Sequence, residues 1–193
     1  MHKYIKVVAK FTAGIALAAG LAGWHFADNI RGYYRFKEVC GKEAGLWVST
    51  KLDKDVGWWS EHDHIGYARI AAESQSVAFV RYRDSKDGNL YDVRYESGSR
   101  SDESSYQRVP ADLGRPVIYS WKYINEAVAG ELRLGRSGYE IRDARSKQLV
   151  ARFYYFGYSK FAPDRTILAS PSGEACGNKQ LWTDDNITRL FVN

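Results

Sequence analysis

The sequence predicts an α+β protein: an N-terminal membrane helix and a short helix packed on an antiparallel sheet of about five to seven strands. Three observations lead there. Residues 1–28 carry three lysines and then a long uncharged run. Beyond them, several segments alternate polar and apolar residues and are separated by Gly, Asn and Asp clusters. Those segments follow one another without intervening helical periods, the pattern of an antiparallel sheet. The 193 residues, 45% hydrophobic and 15% aromatic, suit one domain and exclude disordered and collagen-like classes. They are too few for most large enzyme scaffolds, such as a full (β/α)8 barrel.

The first element is Met1–Ala27. Lys3, Lys6 and Lys10 precede Phe11–Ala27, which holds no charge until Asp28. This is the form of a signal peptide or a short membrane anchor. Ile15, Leu17 and Leu21 stand among alanines and glycines, and Gly20-Leu21-Ala22 offers a small-residue cleavage site. Trp24, His25 and Phe26, with Tyr33 and Tyr34 beyond, stand where the interfacial aromatic belt of a retained anchor belongs. Two outcomes stay open: a single-pass inner-membrane protein with its domain in the periplasm, or a domain secreted or periplasmic after cleavage. In both, residues 1–27 are the anchor or signal and residues 28–193 a single extracytoplasmic domain. Thr12, Ala16 and Gly20 recur every four residues, as do Ile15, Ala19 and Gly23 one face over. Small residues at that spacing let helices approach closely, so Ala16, Gly20, Ala19 and Gly23 are expected to face a second helix, a partner's or another copy's.

The globular part opens with Asp28–Cys40, a helix capped by Asp28 or Asn29 and ended by Gly41 and Gly45. Leu46–Leu52 alternates as a strand does, and Asp53–Asp55 with Gly57 marks a turn before Trp58 and Trp59. Residues 61–76 read equally as a short helix or an extended segment. Val77–Arg83 and Leu90–Glu96 form a hairpin around Asp84–Asn89, and Val117–Ile124 is a further strand. Glu131–Leu134, Tyr139–Asp143 and Leu149–Phe156 form a meander with turns at Gly135–Gly138 and Ala144–Gln148. Pro163, Pro171 and Gly173 punctuate the return to Cys176, and Leu181–Val192 closes the chain as a helix or strand.

The opening Phe36–Val48 (FKEVCGKEAGLWV) resembles a group of small exported bacterial proteins of unassigned function with a Leu-Cys-x-x-x-Gly-Gly-like start before a strand. Val39 replaces the leucine and Ala44 the first glycine. The resemblance covers about a dozen residues; it implies export and a second, distant cysteine, and no activity. Cys40 and Cys176 are the two cysteines, one near each end of the globular part. In an exported protein they are expected to pair and tie the first element to the last.

Function is less legible. Net charge is +5, yet beyond residue 28 there remain 25 basic and 22 acidic residues, interspersed. That is a solvated surface rather than a nucleic-acid footprint, even though Arg81–Arg83 and Arg152–Tyr155 interleave basic and aromatic residues. His62 and His64 in Glu61–His64 would share a face on a strand, but a metal site needs a third ligand and none is apparent. Gly130–Ser137 misses a phosphate-binding loop, with Arg136 where lysine is required and a strand where a helix must follow. Asp84, Asp87, Asn89 and Asp92 lack calcium-loop spacing. Trp58 and Trp59 are adjacent and must point to opposite faces, so one enters the core and one, Trp59 beside the polar run, is expected to meet a protein partner at a loop or strand edge. The expectation is a non-enzymatic envelope protein, an accessory, inhibitory or partner-binding module without a cofactor. The alternative is a metal-dependent enzyme or metal-binding protein built on His62 and His64.

Overall fold

The computed structural model describes residues 2–99, 102–131, 133–159, 173–177 and 180–192, and only the backbone for 2–13, 22, 24–26 and 28. Pro163 and Pro171 lie outside the described residues, as do the side chains of Thr12, Trp24, His25 and Phe26. The fold is α+β, with a nine-stranded mixed sheet rather than an antiparallel one of five to seven strands.

One helix, α1, runs unbroken from His2 to Glu43, through the expected boundary at residue 27 and through Gly41. Gly45, at a positive φ of 91°, turns the chain out of it. Among the described residues no helix is long and apolar enough to cross a membrane, so a spanning helix over Phe11–Ala27 is not supported.

The strands are β1 (Gly45–Val48), β2 (Val56–Ser60), β3 (Val77–Arg83), β4 (Leu90–Tyr95), β5 (Tyr106–Pro110), β6 (Val117–Ala127), β7 (Leu134–Asp143), β8 (Leu149–Ser159) and β9 (Gly173–Cys176). Their order is β1-β8-β7-β6-β2-β3-β4-β5, with β9 beside β1 along β8. β2 is parallel to both β3 and β6, while the other pairings are antiparallel. For β2 and β3 the cause is α2 (Ile65–Ala72), which falls in the ambiguous stretch and carries the chain across the sheet between them. For β2 and β6 it is the connection 111–116, which returns the chain from β5 at the sheet edge to β6 on the other side of β2. Leu52 forms only an isolated bridge to Phe191, so the first strand is shorter than expected. β5 was hidden because it is brief, ends on a proline and follows a polar loop.

The expected meander is also redrawn. Its first turn lies at Val128–Arg133, where Gly130 and Arg133 take positive φ, and Gly135–Gly138 is inside β7. Gly138 sits against the Phe153 carbonyl of β8, a closeness that any Cβ would prevent. The second turn, Ala144–Gln148, stands as expected.

The sheet has two unlike faces. On the core face, α2, α3 (Asp184–Leu190) and the segment Leu181–Trp182 cover Trp58, Val80, Tyr82, Val93, Trp121, Ile141 and Phe153. On the outer face, Tyr33, Phe36 and Val39 of α1 pack on Tyr154, Phe156 and Tyr158 of β8 and Leu134 of β7. A Cβ on Gly32 would lie 2.8 Å from the Tyr158 ring, so glycine sets the closest approach of helix to strand. Cys40 and Cys176 are disulfide-bonded, joining α1 to β9 as expected.

Burial raises the Tyr82, Tyr106, Tyr139 and Tyr154 hydroxyls to about 12. A raised acid holds its proton longer when folded than when unfolded. The stability it contributes is complete below about pH 10 and declines as pH climbs to about 12. The last phase of tyrosinate absorbance, that of these four among the fourteen tyrosines, is therefore expected to coincide with the loss of far-ultraviolet dichroism; complete tyrosinate formation while the structure persists would contradict it.

Candidate functional site

Trp58 and Trp59 lie on β2, in the middle of the sheet, and not on a loop or edge. Strand alternation separates them as expected. Trp58 is fully buried on the core face, its ring 6.0 Å from Trp121, 6.1 Å from Tyr119 and 6.2 Å from Phe191. It is no partner contact. Trp59 points to the outer face and is half-buried.

Register places Trp59 beside Ser120 of β6 and Arg81 of β3, and Ser120 beside Arg142 of β7. The adjacent row is Lys122, Glu140, Arg152 and Trp47, on β6, β7, β8 and β1 in turn. These two rows floor the outer face between α1 and the loop of residues 111–116. That loop covers β3 and β4: Arg81, ion-paired with Asp92 at 2.8 Å, donates to the carbonyls of Asp112 and Arg115, and Arg115 lies over Phe79.

The polar groups of the floor are strongly organised. Glu140 accepts from the Tyr154 hydroxyl and pairs with Arg142 at 2.8 Å. Burial pushes its carboxyl up, but Tyr154 and Arg142 outweigh burial and hold it below its ordinary value. Arg152 reaches Glu43 of α1 and lies between the rings of Trp47 and Tyr154, 5.6 and 5.0 Å from their centres. Trp47 is 44% exposed. Lys122 is exposed and makes no ion pair among the described residues. Sequence reasoning missed Trp47, Ser120, Lys122 and Arg142, and saw Arg152 only within a basic and aromatic run; alternation in β6–β8 places Ser120, Lys122, Arg142 and Arg152 opposite core neighbours, but strand order alone brings them onto one face with Trp59.

The histidines are occupied. They sit in a bend and not on a strand, because α2 starts directly after them. The His62 Nε2 lies 2.9 Å from the Tyr123 backbone N–H and 3.1 Å from its carbonyl, and its ring stacks on Tyr67. His64 caps α2, its Nδ1 accepting from the Gly66 N–H. No cluster of three or more His, Cys, Asp or Glu suited to a metal ion occurs among the described residues. Asp92 is consumed by Arg81, and Asp84 and Asp87 by the β3–β4 turn and Arg108.

Compared with family models, curated proteins and solved structures, the chain matches none.

Proposed function

We propose that this protein is a non-enzymatic envelope module, its sheet domain in the periplasm, tethered at the inner membrane by the N-terminal half of α1, that binds a protein partner across the outer face. The observation that carries the reading is Trp59, half-exposed on a sheet floor beside Ser120, with Lys122 and Arg142 on the two strands beyond, while its neighbour Trp58 fills the core. Tryptophan and arginine are the side chains over-represented among interface hot spots. The disulfide is compatible with export. Ile15, Leu17 and Leu21 are exposed at 56%, 67% and 64%, Ile15 on the opposite side of α1 from Leu17 and Leu21, so these apolar side chains are left free for contact outside the sheet domain.

The test is a photo-crosslinking side chain at position 122 in living cells, with position 86 on the distant β3–β4 turn as control. A defined adduct from 122 alone supports the reading. Equal adducts from both positions, or none, refute it. Alkaline extraction and N-terminal sequencing address the tether: release into the soluble fraction, or a mature chain starting at Gly23, would remove it.

For the helix, the expected contact runs through Ala16, Gly20, Ala19 and Gly23. Ala16, Ala19, Gly20 and Gly23 are exposed, clear of the sheet domain. Gly20→Leu is expected to weaken helix association several-fold, read by crosslinking in membranes, while the protein stays in the membrane fraction. Unchanged association would place the contact elsewhere.

A further inference from the structure

β6 is longer than the strand beside it. β2 stops at Ser60, opposite Trp121, while β6 runs on to Ala127. Glu61 donates its N–H to the Trp121 carbonyl, and the chain then bends away into α2. The His62 ring takes the Tyr123 N–H in place of a further strand residue. Even-numbered residues at this side of the sheet direct their backbone at β7: Val128 donates to Leu134, and Ile118 accepts from Ala144. The N–H and C=O of Asn125 and Ala127 therefore point the other way, into the line that β2 has left. Both residues are exposed, with Glu126 between them, and no hydrogen bond among the described residues reaches those backbone groups.

The outermost edges of the sheet are guarded. On β5 the outward positions include Arg108, which carries a charge, and Pro110, which has no N–H to give. On β1 the outward Leu46 carbonyl already accepts from Arg189 of α3, and β9 is tied to α1 by the disulfide. The gap at Asn125–Ala127 lies inside the sheet and lacks these devices. An alternation of donors and acceptors at the strand repeat is matched by an extended backbone, whereas a helix has already bonded its own backbone groups. Side chains of an added strand would alternate as well. Those on the core side come beside Asn125 and the half-buried rings of Tyr123 and Tyr67, which stack at 5.5 Å. Those on the outer side come beside Lys122 and Glu126, whose opposite charges select neither sign. The same line continues from Trp59, so one partner can reach both.

We infer that the partner lends an extended strand to the gap beyond β2, pairing with Asn125 and Ala127 of β6 and setting an apolar side chain against Tyr123 and Tyr67. This rests on the partner-binding reading above and adds how the partner is held. The probe is a random linear peptide library, selected on the full chain in mild detergent with the disulfide intact. Selected peptides are expected to share apolar residues at every second position. N-methylation along the best of them should abolish binding at alternate residues and stay within about twofold at the others, because only alternate amides face β6. Ala127→Pro removes the N–H that points into the gap and spares the β6–β7 ladder, so affinity should fall about tenfold, as one lost hydrogen bond implies. Ala127→Val keeps that N–H and should stay within about twofold. Thermal melts accompany both variants; should Ala127→Pro melt early, the N-methyl scan on the unaltered chain decides alone. No selected peptide, no alternation, tolerance of N-methyl groups at every position, or a folded Ala127→Pro that binds as the parent does overturns the inference. A dimer of the chain that Ala127→Pro dissolves overturns it in favour of a second copy as occupant. An adduct from position 122 that Ala127→Pro leaves intact overturns strand addition alone; no adduct and no peptide overturns the partner-binding reading as well.

Discussion

Replacing Cys40 and Cys176 together by serine is expected to lower the stability of the folded chain by about 4–5 kcal/mol. The bond closes a loop between residues 136 positions apart, so the unfolded chain is deprived of much of its freedom. In the folded state it joins α1 to β9, a short strand held on β8 by four register positions. The helix has a second hold, since Phe36 and Val39 remain packed on Tyr154, Phe156 and Tyr158. Loss of the bond should therefore reduce the denaturation midpoint without releasing α1 under native conditions. Denaturant titration of the full chain in detergent, with and without reductant, measures it. A midpoint that reductant leaves unmoved would show that packing alone carries the clamp.

Alanine at the two adjacent tryptophans should separate stability from binding. Trp58→Ala is expected to cost about 3–5 kcal/mol, the range for emptying a large aromatic site in a core. Its ring touches Tyr119, Trp121, Trp182 and Phe191, which join α3 and the closing segment to the middle of the sheet. The Trp58 Nε1 is buried and has no hydrogen-bond partner among the described residues. Trp58→Phe keeps most of the ring contact and removes that unsatisfied donor, so it should cost clearly less than alanine. Trp59→Ala should leave the melting temperature within about 2 °C and abolish the adduct from position 122. Thermal melts of the three variants beside the crosslinking assay give the answer. Should Trp59→Ala unfold the domain as Trp58→Ala does, Trp59 belongs to the framework and the outer face loses its anchor.

Much of the fold was legible because its signals are local. The hairpin around Asp84–Asn89 announces itself in six residues of turn chemistry, and the Ala144–Gln148 turn does the same. Gly135–Gly138 was misleading for an instructive reason. Two glycines around two polar residues read as a turn, but Gly138 is needed where β7 presses on the Phe153 carbonyl. The conformational freedom of glycine serves close approach as well as reversal, and sequence alone does not distinguish them. Residues 61–76 hid the crossover from β2 to β3, because α2 spans two turns and buries mainly alanines, too short and too bland for a helical period to stand out.

By itself the sequence determined that an uncharged stretch leads into a helix, that strands follow, that two cysteines stand where the chain's ends can be joined, and that Trp58 and Trp59 face opposite ways. Each rests on a periodicity or a residue type acting over a few positions. The polar run after Trp59 already marked Trp58 as the inner one, and only the tertiary structure supplied the cover that makes it so. Trp58 is buried because Phe191, Trp182 and α2 arrive on its side of the sheet, whereas α1 and the 111–116 loop leave Trp59 between them. The same holds for the row of Arg152, Glu140 and Lys122 and for the parallel placement of β2. Strand order and the covering of each face are contacts between residues far apart in the chain, and no local pattern encodes them.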